Sequence, residues 1–407
     1  MKKTLFIMAL IANTMTALAQ KYVGGDISML TKYEEAGVVY KDQSGNTVQP
    51  LAFFKEQGLN AMRVRLFVNP NPTADKGVCQ NLDYVKALGH RIKQAGLKLM
   101  LDFHYSDTWA DPSKQWTPTA WYSQERPLYD IIYDYTKDCL QQLKQAGAEP
   151  DFIQTGNEIS YGMLWGLEGA TGGRCYVNSN DHWADFIKLL KQAGKACREE
   201  CPAAKIVIHT ERVAEPNVLT AFYDKMKEGN VDYDIIGLSY YPAYHKDIPT
   251  LETALNQLEA KNFGKDIMIV ETGYSYAWAL SGTTYVYEST YPYSEEGQRR
   301  FTADLISMLN KHEQVKGLFW WWPEDNGNKN VTNKWWNAAL YNHDTGKPYA
   351  AFYELKNFAP DGGAGIHSVQ ATAADDEAWY TLDGRKMNGK PTTPGLYINS
   401  GKTYPVK

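Results

Sequence analysis

Residues 128–160, LYDIIYDYTKDCLQQLKQAGAEPDFIQTGNEIS, contain one complete unit of the predicted fold. Apolar side chains recur every three or four positions in its first half, as they do along one face of a helix. Gly147 then provides a typical helix end. The apolar run Phe152–Thr155 predicts a short buried strand, which is followed by Asn157 and Glu158. The unit is therefore a helix followed by a strand whose end carries a carboxyl group.

Similar units recur along the chain. The predicted strands are Tyr22–Ile27, Ala61–Phe67, Lys98–Phe103, Phe152–Thr155, Ile206–His209, Ile235–Ser239, Ile267–Val270 and Gly317–Trp321. The predicted helices are Leu51–Glu56, Leu82–Ala95, Leu128–Ala146, Trp183–Glu199, Val218–Lys227, Leu251–Ala260, Glu295–Lys311 and Tyr349–Leu355. Eight alternating units favour an α/β fold of the closed (β/α)₈ type, the TIM barrel. The alternative, an open doubly wound sheet, usually has a GxGxxG turn after its first strand, and Gly24-Gly25-Asp26 does not match that motif.

The two ends of the chain differ from this pattern. Residues 1–19 combine Lys2 and Lys3 with an apolar run and a small-residue site ending at Ala19, which predicts a cleaved secretory signal peptide. We expect an exported protein, in the periplasm or at the cell surface, with its barrel in residues 20–360. Residues 361–407 begin with a Gly-rich linker and predict a small β-rich tail.

Composition limits the classes of partner. The net charge of −5 offers no basic surface for nucleic acid. No run after the leader predicts a transmembrane segment. The five cysteines are an odd number without a CxxC pair, which indicates neither a metal cluster nor a disulfide framework, and a single bridge such as Cys197 to Cys201 stays open. We expect a monomer without metal or cofactor.

Two carboxyl groups stand where a barrel of this kind carries its chemistry. Glu158 follows the fourth strand and Glu271 the seventh, and active sites of such barrels lie at the carboxyl ends of the strands. Either residue alone is more often a surface acid that caps the next helix. Together, at matching strand ends, they indicate the carboxyl pair of a retaining glycosidase, whose members lie about 5–5.5 Å apart.

The other strand ends supply polar and aromatic groups. Arg65 is predicted to hold a carboxylate in its ionised form. In the Trp320-Trp321-Trp322 run, strand alternation allows Trp320 and Trp322 to share the side opposite to Trp321, and which ring faces the site stays open. The remaining candidates at these ends are His104, Asp107, Trp109, Asp111, His209 and Tyr241. Each alone is compatible with packing at the barrel rim, whereas together they predict a polar cleft lined by rings.

Several of these motifs resemble a known family. They are Gly24-Gly25-Asp26-Ile27-Ser28, His104-Tyr-Ser-Asp107-Thr-Trp109-Ala-Asp111-Pro112, Gln154-Thr-Gly-Asn157-Glu158-Ile159, Ser239-Tyr-Tyr241-Pro242 and Glu271-Thr-Gly-Tyr274. The pattern is similar to that of clan A of the retaining (β/α)₈ glycosidases, and within it to glycoside hydrolase family 53, the endo-β-1,4-galactanases. The likeness covers residues 22 to 358.

The resemblance implies a function and a role for each candidate. Glu158 would be the general acid/base, Glu271 the nucleophile and Asn157 the partner of the sugar 2-hydroxyl. The supporting roles would be Arg65 and Tyr241 orienting Glu271, His209 helping to set the mouth, Trp321 as the sugar platform, and His104, Asp107, Trp109 and Asp111 lining neighbouring positions. The substrate would be β-1,4-galactan, in the type I arabinogalactan side chains of pectin, cut internally with retention.

Substrate and metal content are separate expectations. Some bacterial members of the family hold calcium in the loop after the seventh strand, but Ser275–Glu296 contains no Asp here, so no ion is predicted. Two alternatives stay open. One is a retaining enzyme of the same clan acting on mannan or glucan, since loops decide specificity. The other is a glycan-binding protein without activity, which has no use for two neighbouring acids.

Overall fold

Eight parallel strands close into a barrel in the computed structural model, which confirms the predicted TIM-barrel fold. The structure describes residues 20–170, 173, 175–177, 182–332, 334–359, 379–381, 387, 389–399 and 402–406. The strands follow one another around the barrel in chain order, and β8 closes it by pairing with β1. They are β1 Tyr22–Asp26, β2 Ala61–Leu66, β3 Lys98–Phe103, β4 Phe152–Thr155, β5 Lys205–Thr210, β6 Ile235–Tyr240, β7 Asp266–Thr272 and β8 Val315–Trp321.

Helices connect the strands. They are α1 Leu30–Glu35, α2 Pro50–Glu56, α3 Leu82–Gln94, α4 Thr119–Tyr122, α5 Leu128–Gln145, α6 Trp183–Glu200, α7 Pro216–Glu228, α8 Pro242–His245, α9 Ile248–Lys261, α10 Glu295–Leu309 and α11 Ala350–Glu354. The long ones each bury one apolar stripe, which is what the periodicity of their sequences predicts. Helices α1, α4 and α8, which have six, four and four residues, were not predicted from the sequence.

The tetrapeptide Lys-Gln-Ala-Gly occurs at residues 93–96, 144–147 and 191–194, and it ends α3 and α5 but not α6. Gly147 has a φ of +69° after α5. The amide of the next residue, Ala148, donates to the carbonyl of Leu143 at 2.8 Å, the pattern of a Schellman cap. Gly194 instead lies buried within α6, which continues to Glu200. The tetrapeptide therefore ends a helix only where its glycine adopts the left-handed conformation, as Gly96 and Gly147 do.

The barrel interior has an apolar layer below a polar one. The apolar cluster takes inward positions from the strands and contains Ala61, Met100, Phe152, Val207, Ile235, Met268, Val270 and Phe319. Two residues further along β2, β4 and β5, the same face carries Arg63, Gln154 and His209, all fully buried. The carboxyl end of the barrel is thus a polar chamber with an apolar floor.

A register shift in β7 brings Glu271 into this chamber. Ile269 pairs with Leu318 of β8, whereas Thr272 pairs with Trp320, so β7 holds one extra residue between these pairs. Strict alternation from Val270 would turn Glu271 away from the interior, and the bulge re-aims it. The same shift sets Glu271 opposite Ser239 of β6.

The chain divides into two units between Pro360 and Asp361. In the second unit, β9 Trp379–Thr381, β10 Gly395–Asn399 and β11 Lys402–Val406 form an antiparallel sheet with β10 in the centre. The leader predicted in residues 1–19 and the linker at 361–365 lie outside the described residues.

Within the described ranges, we find no helix of the length and apolarity that crossing a bilayer requires. Cys79, Cys139, Cys197 and Cys201 are buried thiols, so the bridge left open between Cys197 and Cys201 is not formed. Burial raises the pKa of the Cys79 thiol to about 11, which keeps it protonated and unreactive at neutral pH.

Candidate active site

Glu158 and Glu271 lie in one site at the carboxyl end of the barrel. Glu158 follows β4 with a left-handed φ of 48°, an uncommon conformation for a non-glycine residue. Its side chain is half-buried, and Glu271 is buried near the end of β7. Burial raises the pKa of Glu158 well above its ordinary value, and the charge of Glu271 raises it further. The predicted convergence of the two acids is therefore present.

Two groups bind the Glu271 carboxylate. The Tyr241 hydroxyl donates to Oε2 at 2.9 Å, and Arg63 Nη2 lies 3.0 Å from Oε1. Burial raises the pKa of Glu271 to about 7, while the Arg63 charge and the Tyr241 hydrogen bond both favour the ionised form. Glu271 consequently loses its proton before Glu158 does.

Arg63 is the centre of a buried charge network. Its Nη1 donates to Asp26 Oδ2 at 2.9 Å, and its Nη2 donates to Asp102 Oδ2 at 2.8 Å and to Asn157 Oδ1 at 2.9 Å. Burial disfavours the charge of Asp102, but Arg63 and His104 lower its pKa below the usual range. One cation thus links acids from β1, β3 and β7.

The prediction that Arg65 orients Glu271 is wrong, because Arg63 makes that contact. Arg65 Nη1 donates to Asp26 Oδ1 at 2.6 Å. Its guanidinium lies 4.9, 4.8 and 5.1 Å from the ring centres of Trp109, Trp321 and Trp322. Both arginines face inward as alternate residues of β2, but the contacts of Arg65 are with Asp26 and these three rings.

Asn157 and His209 surround the base of Glu158. Asn157 Nδ2 donates to the carbonyl of Ala110 at 2.8 Å, so its Oδ1 faces Arg63. His209 is fully buried, and burial together with the charge of Arg63 lowers its pKa well below the ordinary value. The predicted site residues on β4 and β5 are therefore together, with a neutral imidazole beside Asn157.

The residues predicted after β3 separate into different surroundings. His104 Nε2 lies 3.1 Å from Asp102 Oδ2 in the buried network. The half-buried Trp109 has its Nε1 bound to Asp75 at 3.1 Å. Asp111 lies close enough to Glu158 to raise the pKa of Glu158. Asp107, in contrast, accepts the Thr119 amide at 3.0 Å at the start of α4, which gives it a structural contact.

The three tryptophans at the end of β8 do not alternate throughout. Trp320 donates its Nε1 to the carbonyl of Ala338 at 2.8 Å, on the far side from the site. Trp321 and Trp322 instead stack with ring centres 5.5 Å apart. Trp322 has a φ of 51°, so the extended strand ends at Trp321 and the alternation ends with it. Trp321 faces the site, where Arg63 lies 5.8 Å from its ring.

Four residues of the site were missed by the sequence analysis. Arg63 lies two residues before Arg65 on β2, so both side chains point to the same side of the strand. This spacing could have identified Arg63 as a second candidate. Ser239 and Glu211 lie at the ends of β6 and β5, and burial raises the pKa of Glu211 to about 7. Trp335 lies 5.2 Å from the ring of Tyr241, in a loop where no periodic signal exists.

The chain is similar to known proteins along most of its length. Residues 22–352 match the family described as glycosyl hydrolase family 53. An arabinogalactan endo-β-1,4-galactanase of Thermothelomyces thermophilus is 35% identical over 319 residues, which cover 75% of this chain and 90% of that protein. The protein of the same name from Cellvibrio japonicus is 33% identical over 337 residues, which cover 79% and 85%.

A solved structure from work on two fungal β-1,4-galactanases has the same architecture. It superposes with a TM-score of 0.71 at 31% sequence identity, covering 83% of this chain and 99% of that one. Sequence and fold therefore agree on the same relatives.

Proposed function

The chain belongs to glycosyl hydrolase family 53 and is a glycoside hydrolase, and from this premise we propose that it is a retaining endo-β-1,4-galactanase. Its substrate is the β-1,4-galactan of type I arabinogalactan, the side chains of pectin. Relatives that carry the galactanase name support the bond cleaved. The observation that most supports the proposal is that the two carboxyl groups favour different protonation states. Burial and the charge of Glu271 favour the protonated form of Glu158, while Arg63 and Tyr241 favour the anion of Glu271.

In the first step, Glu271 attacks the anomeric carbon and Glu158 protonates the departing glycosidic oxygen. The bond to the leaving sugar breaks as the bond to Glu271 forms, and Glu158 becomes ionised. As the nucleophile transfers its negative charge to the covalent bond, Arg63 keeps the charges of Asp26 and Asp102 compensated.

In the second step, Glu158 takes a proton from water, which attacks the anomeric carbon and releases Glu271. Both displacements invert the carbon, so the product retains the β configuration. Asn157 binds the 2-hydroxyl, and Trp321 is the platform under the sugar at the cleavage point. The neighbouring positions are lined by His104, Trp109 and Asp111, with Arg65 and His209 supporting them and Asp107 bracing the loop.

The proposal includes the context of the enzyme. Residues 1–19 direct export and are removed near Ala19, and residues 20–360 act as a monomeric catalytic domain. No metal or cofactor takes part, and residues 361–407 form an accessory tail.

The experiment is time-resolved ¹H NMR of products from pectic galactan, with mannan and cellulose as parallel substrates. We expect internal cleavage, a rapid fall in polymer length and β-anomers formed before mutarotation. The Glu271→Ala variant is the control for contaminating activity. First-formed α-anomers would refute the retaining mechanism, and faster cleavage of mannan or cellulose would refute the substrate. Binding of galactan without any cleavage would show a capture protein.

A further inference from the structure

We infer that Ser239 is a positioning residue for Glu158, accepting a hydrogen bond from His209 and donating its own hydroxyl proton to the Glu158 carboxylate. The inference rests on the proposed role of Glu158 as acid and base. Ser239 is fully buried at the end of β6, and no role for it follows from the mechanism above.

The first step is the tautomer of His209. The backbone amide of Glu158 donates to His209 Nδ1 at 3.3 Å, so Nδ1 carries a lone pair. Gln154 Nε2, another donor, lies 3.0 Å from the same nitrogen. Asn157 Oδ1 also lies 3.1 Å from it, but this oxygen already accepts from Arg63 Nη2 at 2.9 Å, and a proton on Nδ1 would collide with that of the Glu158 amide. A neutral imidazole has one N–H, which is therefore on Nε2. That nitrogen lies 2.9 Å from Ser239 Oγ, so His209 is the donor to the serine.

The second step is the serine proton. A hydroxyl that accepts from His209 still has one proton to donate. The Ser239 side chain lowers the pKa of Glu158, which is the direction expected when a hydroxyl donates to a carboxylate, so the Glu158 side chain is the acceptor that we assign to this proton. The backbone and side chain of Glu158 are thus both tied to His209, one directly and the other through Ser239.

The β7 bulge explains why Ser239 reaches this place. The register between β6 and β7 shifts after Leu238, which pairs Ser239 with Glu271. Ser239 therefore lies beside one catalytic acid on the neighbouring strand and donates to the other. A serine fits this position because it is small enough to be enclosed and carries both a donor and an acceptor.

The other groups facing Glu158 give this hydrogen bond its importance. Carboxylates on β7, at the end of β5 and in the loop after β3 raise the pKa of Glu158. Two phenols and an imidazole also face Glu158. These groups are Glu271, Glu211, Asp111, Tyr241, Tyr244 and His209. Ser239 opposes the carboxylates by favouring the ionised form, which Glu158 adopts at the start of the second step. Ser239 therefore assists release of the covalent intermediate more than its formation.

The test compares Ser239→Ala with Ser275→Ala, another buried serine at this end of the barrel, whose Oγ lies 3.4 Å from Asn337 Nδ2. We expect Ser239→Ala to move the alkaline limb of the kcat/KM profile upward by about one pH unit. On an aryl galactobioside with a good leaving group, kcat should fall about tenfold, because release then limits turnover. Ser275→Ala should change neither, and Ser239→Thr should restore both.

A second measurement does not depend on galactanase activity. The ¹³C carboxyl resonance of Glu158, assigned with Glu158→Gln, should titrate about one pH unit higher in Ser239→Ala, or in Ser239→Cys if the alanine variant does not fold. An unchanged or lower titration would overturn the role of Ser239. A wild-type protein that does not cut galactan, with the shift present, would instead overturn the proposed function.

Discussion

Replacing Arg63 by Met should raise the pKa of the Glu271 carboxyl and suppress activity at neutral pH. Unit charges 3.0 Å apart attract by about 5.5 kcal/mol at an effective dielectric constant of about 20. That energy corresponds to about four pH units at about 1.36 kcal/mol each. It is an upper value, because water enters the space that the guanidinium leaves. We expect a shift of at least about two units.

The sign follows from the charge removed. Arg63 favours the anion, so its loss keeps Glu271 protonated to higher pH, above the value of about 7 that it has with Arg63 present. The acid limb of the kcat/KM profile should move upward, and kcat/KM on galactan at pH 7 should fall at least about fiftyfold, because the ionised fraction of Glu271 falls from about one half to about 1%. Stability should fall by about 3–5 kcal/mol, since buried acids lose their partner.

Arg65→Met is the matched control. Arg65 is as fully buried as Arg63 and also pairs with Asp26, so its loss should destabilise the barrel similarly. It does not contact Glu271, and the acid limb should stay within about half a pH unit. The assay is a kcat/KM profile from pH 4 to 10, with circular dichroism to confirm folding. Equal shifts in both variants, or none in Arg63→Met, would refute the assignment of Arg63.

Three further comparisons of variants have defined outcomes. Glu158→Ala should keep turnover of aryl galactosides with good leaving groups and be rescued by azide with a β-galactosyl azide product, whereas Glu271→Ala should lose about 10⁵-fold on all substrates; equal losses without rescue would contradict the two roles. Asp325 is fully buried, and burial raises its pKa from 3.8 to about 7. The protonated side chain therefore contributes to the stability of the fold at pH 4, and this contribution is lost as the pH rises to 7. In thermal melts, the free energy of unfolding of Asp325→Asn relative to that of the wild type should rise by up to about 4 kcal/mol between pH 4 and pH 8. A difference between the two proteins that does not change with pH would argue against this. In Gly24→Ala the new Cβ would lie 1.6 Å from a carbonyl oxygen of β2, which should cost more than about 3 kcal/mol in denaturant unfolding, whereas Gly37→Ala, with no atom within 4 Å but a φ of +78°, should cost about 1 kcal/mol.

The sequence was sufficient for the barrel because each strand and long helix has its own local signal. A short apolar run, a turn and a one-sided helix recur, and only one common architecture buries eight such units. Glu158 could be placed for the same reason, since it directly follows the strand Phe152–Thr155. The short helices α1 and α4 lacked any such period.

Parts of the site could not be read from the strand pattern. Arg63 and Arg65 have equal parity, and their partners depend on acids from distant strands. Glu271 faces inward through an extra residue in β7, and a bulge has no periodic signal in one sequence. The stacking of Trp321 on Trp322 depends on a backbone turn at Trp322, which alternation does not anticipate.

The charge network around Arg63 also matters for attempts to transplant this chemistry. Two glutamates grafted onto another eight-stranded scaffold would lack the shared counter-ion that Asp26, Asp102 and Glu271 have here. Without it, the glutamate that replaces Glu271 would be protonated at neutral pH, and the grafted site would be inactive. The smallest transferable unit is the arginine with all of its acidic neighbours, moved as one set from four strands.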